Sequence, residues 1–284
     1  MATTTLTIGS DLEVYRFGFG AMRITGDGIW GEPADEAACR DLLRRIVQTD
    51  VNLIDTADSY GPEVSERLIA EALHPYPDNV VIATKGGLER PGPNRWVANG
   101  RPERLRRCCE DSLRRLKLER IDLYQLHRVD PNVPIGDSVG ALAELREEQK
   151  IRHIGLSNVN AEQLERAREI VPIVSVQNRY NVADRESEDV LQACQESGLA
   201  FFPWAPLGSR GSSNLSQAGG RLDEAARAHG ASPGQVALAW LLHHSPVILP
   251  IPGTSSIAHF EENLEAVELE LDQDELDALD SVGG

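Results

Sequence analysis

Basic residues are scarce in this chain: 28 Lys and Arg stand against 45 Asp and Glu, a formal net charge of −17 at pH 7. Nucleic acid would meet a repulsive long-range field, so no such partner is expected. A small anion is still admissible where backbone amides or a few placed cations offset that field locally. Cysteine is also sparse. Cys39, Cys108, Cys109 and Cys194 show no C-x-x-C spacing, and helix neighbours such as Cys108 and Cys109 do not readily pair. Reduced structural thiols are expected, with no metal. No apolar run is long enough to span a bilayer, and MATTTLTIGSDLEV lacks the basic-then-apolar order of a secretory leader. A cytoplasmic protein without a membrane partner is therefore expected. A complete G-x-G-x-x-G turn is missing too, because Ala21, Met22 and Arg23 follow Gly18-Phe19-Gly20. An open doubly wound sheet would need that turn to hold a dinucleotide, so the open sheet is disfavoured.

What is present is alternation. Short β-branched runs at 51–57, 79–85, 121–127, 151–158, 173–177, 199–204 and 247–251 are separated by amphipathic stretches such as 34–48, 102–116 and 138–149. Near-continuous apolar runs suit strands buried on both faces of a parallel sheet, and the strand–helix alternation predicts repeated βαβ units. With 16–22 as the first strand, eight strands are available. That is the number that closes a (β/α)8 TIM barrel, a fold of roughly 250 residues. The expectation is one barrel domain over residues 1–284, preceded by an N-terminal β-hairpin of Thr5–Ile8 with Leu12–Tyr15. An additional helix is expected from Pro233 to about His243, and a last one over Gln273–Ser281.

In a barrel, the C-terminal strand ends build the active-site face. Here six successive strands end in Asp55, Lys85, His127, Ser157-Asn158, Gln177 and Trp204. Each has an ordinary structural explanation alone, but a coincidence across six strands is much less plausible. Asp55 and Lys85 on nearby strands would form a buried ion pair, which usually has a role beyond stability. Tyr60 follows five residues after Asp55. A phenol has a pKa of about 10, and a nearby ammonium is expected to lower it. A Tyr beside Lys85 would then donate a proton near neutral pH, while His127 hydrogen-bonds an oxygen gaining negative charge. The set suits polarising a carbonyl and protonating an alkoxide, which requires a hydride donor.

These residues resemble the aldo-keto reductase family over essentially the whole chain. The likeness rests on Leu53-Ile54-Asp55-Thr56-Ala57-Asp58-Ser59-Tyr60-Gly61, Thr84-Lys85, the run Asp122 to His127, Gly155-Leu156-Ser157-Asn158 and the run Gln177 to Asn181. The resemblance implies a catalytic tetrad of Asp55, Tyr60, Lys85 and His127, with Tyr60 as general acid. It implies that Ser157, Asn158 and Gln177 bind the nicotinamide carboxamide, that Trp204 stacks on the ring, and that Gly20, Ala21 and Met22 border the cofactor. Pro206, Leu207, Gly208, Ser209 and Arg210 would wrap the pyrophosphate, with Ala205 also in the cofactor-binding set. Ile251, Gly253, Thr254, Ser255, Ser256, His259, Glu262 and Asn263 would take the adenosine end. Gly253 and His259 stand where many members carry Lys and Arg for the 2′-phosphate of NADP, so NADPH is expected as cofactor with NADH an alternative. Within the family, Gly26–Gly31, Trp204–Gly208 and Leu249–Ser256 are similar to bacterial pyridoxal reductase-type members.

The substrate is expected to be a small carbonyl compound. Trp30, in the loop after the first strand, and Trp96, in the loop 86–101, are candidates for the pocket wall. Arg128 either attracts an acidic substrate group or pairs with Asp130. The short C-terminal stretch predicts an open pocket, in a monomer or weak homo-oligomer. Two other functions compete with reduction: a redox-sensing regulatory subunit, and a Schiff-base aldolase or hydrolase built on Lys85, which would leave Tyr60 and the nicotinamide set idle.

Overall fold

The computed structural model describes residues 4–208 and 214–282. It opens with β1 (Thr5–Ile8) and β2 (Leu12–Tyr15), an antiparallel hairpin in the register Thr5↔Tyr15 to Ile8↔Leu12. Gly9 makes the turn at φ +63°, a conformation that L side chains rarely adopt. Ile8, Leu12 and Val14 pack with Leu53, Val81, Leu123 and Val174, which lie early in barrel strands. The hairpin therefore closes the N-terminal end of the barrel and leaves the opposite end for chemistry.

Seven parallel strands follow: β3 (Phe19–Gly20), β4 (Leu53–Asp55), β5 (Val81–Gly86), β8 (Ile121–Leu126), β9 (Ile151–Ser157), β10 (Ile173–Arg179) and β11 (Ala200–Trp204). They lie side by side in sequence order. The eighth segment, 247–251, completes the ring. Phe201 N–H donates to Val247 O and Leu249 N–H to Phe201 O, both at 2.9 Å; on the other flank Gly18 N–H donates to Pro250 O at 2.9 Å and Gly20 N–H to Pro252 O at 3.3 Å. Pro250 and Pro252 have no N–H to return, so this last seam is bonded in one direction only.

The remaining strands, β6 (Leu88–Gly92) and β7 (Arg95–Ala98), correct the sequence reading, which took 86–101 as a plain loop. Pro93 and Asn94 form the hairpin turn between Gly92 and Arg95, with Asn94 at φ +55°. Helices cover the outside of the barrel. The helix Pro102–Leu116 starts with Pro in its first turn, where the missing N–H has no cost, and the helix Pro233–His244 starts on a Ser232–Gln235 capping box. The helix expected from 138 begins at Ile135, because Pro134 precedes its first turn.

Candidate active site

Alternation along the strands places the polar residues. On β8, Leu123 faces the barrel interior, so Gln125 and His127 share its side; on β5, Val81 and Ala83 direct Lys85 the same way. Lys85 is fully buried, and its Nζ donates to Asp55 Oδ2 at 2.6 Å, Thr56 O at 2.9 Å and Tyr60 Oη at 3.3 Å. Asp55 Oδ1 accepts from Gln177 Nε2 at 2.8 Å and Gln125 Nε2 at 3.1 Å. Both carboxylate oxygens and all three ammonium hydrogens are thus engaged, the condition under which a buried pair is tolerated. Gln125 was not among the sequence candidates. Its place two residues before His127 on the same face was the signal that would have found it.

Tyr60 lies in the turn after β4, packed edge-on against Trp96 and His127 with ring centroids 6.4 and 5.8 Å away. The turn is propped from behind. Ser65 Oγ donates to Ala21 O, and Glu66, fully buried, accepts from Thr84 Oγ1 at 2.6 Å and Arg115 Nε at 2.7 Å. Here an expectation is reversed. Burial raises the Tyr60 phenol pKa above 10, the Lys85 ammonium pulls it down, and the Asp55 carboxylate raises it again; the net direction is up. Tyr60 therefore carries its proton throughout the neutral range. Lys85 remains an ammonium: burial pulls its pKa down, but Asp55 and Tyr60 outweigh burial. His127 is held well below 6.5 by burial, then by Lys85, Arg128 and Arg90, so its imidazole is neutral. Its Nδ1 lies 3.3 Å from Ser59 Oγ. In the tautomer that accepts there, Nε2–H is left for a ligand oxygen.

These groups border a cavity of about 320 Å³. Gly20, Met22, Tyr60, Trp96, His127 and Arg128 line it, together with Ser157, Asn158, Gln177 and the run Trp204 to Gly208. Ile251 and Gly253 continue the wall, whereas Ala21 is buried behind it. Asn158 sits at φ +56°; its Nδ2 donates to His127 O and Ser157 Oγ, and its Oδ1 accepts from Trp204 Nε1 at 3.1 Å, leaving one lone pair of that oxygen open. It orients the wall. Gln177 Oε1 accepts no hydrogen bond among the described residues, and the Ser157 hydroxyl proton is uncommitted. One free acceptor and one free donor on the same wall match a primary carboxamide.

Ala205 holds φ +53°, an uncommon conformation outside glycine, and Asn181 Nδ2 fixes its carbonyl at 3.1 Å. Ser209 and Arg210 lie outside the described residues. A Cβ on Gly253 would come within 2.6 Å of Gly20 O. Glycine at this position is therefore a consequence of how closely the last strand approaches the first. Beyond it, Thr254 to Ser256 lead into the helix Ile257–Leu264, with Ser256 as N-cap. Ser255, His259 and Glu262 are exposed and Asn263 half-buried, and none of the four lines the cavity.

Trp96 lines the cavity but Trp30 does not. Between them stands Arg90, which sequence reasoning missed. Its guanidinium lies 3.6 Å from the Trp96 ring centroid and 5.7 Å from that of Trp30. It donates to Ser59 O, Gly28 O and Arg95 O. Only the hairpin of β6 and β7 brings Arg90 there. On the far side of the Tyr60 turn, a second cavity of about 370 Å³ is bordered by Asp58, Arg104 and Cys108. Burial and nearby Glu66 push the Asp58 carboxyl up to about 7, and its Oδ1 has no hydrogen-bond partner among the described residues.

A family model described as the aldo/keto reductase family matches residues 16–283. An uncharacterized oxidoreductase of Schizosaccharomyces pombe is 48% identical over 279 residues, covering 98% of this chain and 90% of the relative. Pyridoxine 4-dehydrogenase of Escherichia coli is 41% identical over 288 residues, 99% of each chain. Among solved structures, an aldo/keto reductase from Klebsiella pneumoniae in complex with NADP and acetate matches with a TM-score of 0.80 at 27% identity, covering 99% of this chain and 96% of that one.

Proposed function

The chain belongs to the aldo/keto reductase family and is an NAD(P)H-dependent oxidoreductase, and we propose that it reduces small aldehydes or ketones with NADPH, Tyr60 being the general acid. The observation that carries this reading is the contact of Lys85 Nζ with both Asp55 Oδ2 and Tyr60 Oη inside a closed hydrogen-bond set. Pyridoxal is the first substrate to test, given the likeness to pyridoxine 4-dehydrogenase.

Bound NADPH would supply the hydride. Ser157 Oγ–H and Gln177 Oε1 would hold its carboxamide, Trp204 would cover the ring, and the run Ala205–Gly208 would follow the pyrophosphate. Thr254, Ser255, Ser256 and His259 would receive the adenosine phosphate at the start of the helix Ile257–Leu264, where free N–H groups and the dipole favour an anion. The chain's own chemistry is proton delivery. A substrate carbonyl oxygen sits between Tyr60 Oη–H and His127 Nε2–H, and as it gains charge Tyr60 gives up its proton. The ammonium of Lys85, 3.3 Å from Tyr60 Oη, stabilises the phenolate left behind. A neutral His127 donates one hydrogen bond without competing as acid. Trp96 and Leu88 shield the reacting end from water.

Titration of the protein with NADPH and with NADH, read as quenching of tryptophan fluorescence, tests the cofactor assignment. Quenching by NADPH at much lower concentration than NADH is expected, followed by NADPH-dependent reduction of pyridoxal and aromatic aldehydes. Equal quenching by both removes the NADPH preference, and binding of neither in folded protein removes the reductase reading.

A further inference from the structure

The fully charged side chains lining the 320 Å³ cavity are Arg23, Asp55 and Arg128. Asp55 is already neutralised by Lys85, so this cavity is net positive in a chain of net charge −17. The two arginines stand at different places. Arg23 belongs to the cofactor end, its Cγ 3.5 Å from where a Cβ on Gly253 would be. Arg128 follows His127 directly and belongs to the end where the carbonyl would react.

Arg128 is exposed and makes no hydrogen bond or ion pair among the described residues. Asp130, the partner that its position in sequence suggests, is occupied: Oδ2 accepts from Gly100 N–H at 3.1 Å, and Oδ1 accepts from Asn132 N–H at 2.8 Å and Nδ2 at 3.2 Å. Arg90 adds a second cation behind Trp96, held by carbonyls and aromatic faces with no carboxylate partner. A local positive field within an acidic surface draws anions selectively to one place. A single guanidinium with all its donors free is shaped for a planar carboxylate, which it grips through two parallel bonds.

Resting on the carbonyl-reductase reading, we propose that the preferred substrates are aldehydes or ketones carrying a carboxylate, which Arg128 grips at the cavity mouth while the carbonyl reaches Tyr60 and His127. Reaction at the carbonyl is unchanged; Arg128 determines which carbonyl compounds are retained.

The test compares 4-carboxybenzaldehyde with 4-nitrobenzaldehyde, planar substituents of similar size that differ in charge, in the full-length enzyme with saturating NADPH. R128Q is expected to lower the ratio of kcat/KM values, acid over nitro, by about tenfold or more, mainly through KM of the acid. R128K should retain part of it. Raising KCl from about 20 mM to about 0.5 M should erode the ratio in the parent and leave R128Q unaffected. A ratio untouched by R128Q overturns the proposal while leaving the reductase reading in place. Failure of the parent to reduce either aldehyde, with NADPH bound, overturns the reductase reading and this inference with it.

Discussion

Asp58 gives the sharpest quantitative expectation. It is buried in the Tyr60 turn, and burial followed by repulsion from Glu66 moves its carboxyl from the ordinary 3.8 to about 7. A carboxyl whose pKa is raised on folding favours the folded state while protonated. That advantage fades as pH rises above 3.8 and is gone above about 7. Each pH unit inside this window is worth about 1.4 kcal/mol. From pH 5 to pH 8, ionisation of Asp58 should therefore cost the folded state about 3 kcal/mol. D58N keeps the size and removes the charge. Urea denaturation of both proteins at pH 5 and pH 8 isolates this group, since all other carboxyls are common to the pair. D58N should gain on the parent by about 3 kcal/mol between the two pH values. A pH-independent difference would refute the reasoning, because it would mean that Asp58 does not change protonation across this range in the folded protein.

The buried pair should behave as a unit: D55N and K85M are each expected to lose roughly 3–5 kcal/mol of stability in urea, and the double variant much less than their sum. Additive losses would show that the 2.6 Å contact carries no coupling. For His127, held neutral, kcat/KM for reduction should show no step near pH 6.5 that H127Q removes. Such a step would assign the imidazole a protonated role.

The barrel and most of the candidate site were legible in the sequence for one reason: parallel strands alternate their side chains and end on one face. Asp55, Lys85, His127 and Gln177 were placed by that rule, and Gln125 obeys it as well. Other features depend on tertiary approach. Arg90 reaches the site through a hairpin whose turn, Pro93-Asn94, reads as generic loop. Gly253 reads as a lost phosphate-binding cation until it is known that a Cβ there would lie 2.6 Å from Gly20 O. The direction of the Tyr60 shift depends on how deeply Trp96 and His127 bury the phenol, which no local pattern encodes.

Replacing Tyr60 with Phe tests the central claim most directly. The substitution removes one hydroxyl and leaves Lys85 bonded to Asp55 Oδ2 and Thr56 O, so the fold and the NADPH fluorescence titration should be retained. Aldehyde-dependent oxidation of NADPH is expected to fall roughly 100- to 10,000-fold. Turnover equal to the parent, with NADPH bound equally well, would contradict the assignment of Tyr60 as the proton donor.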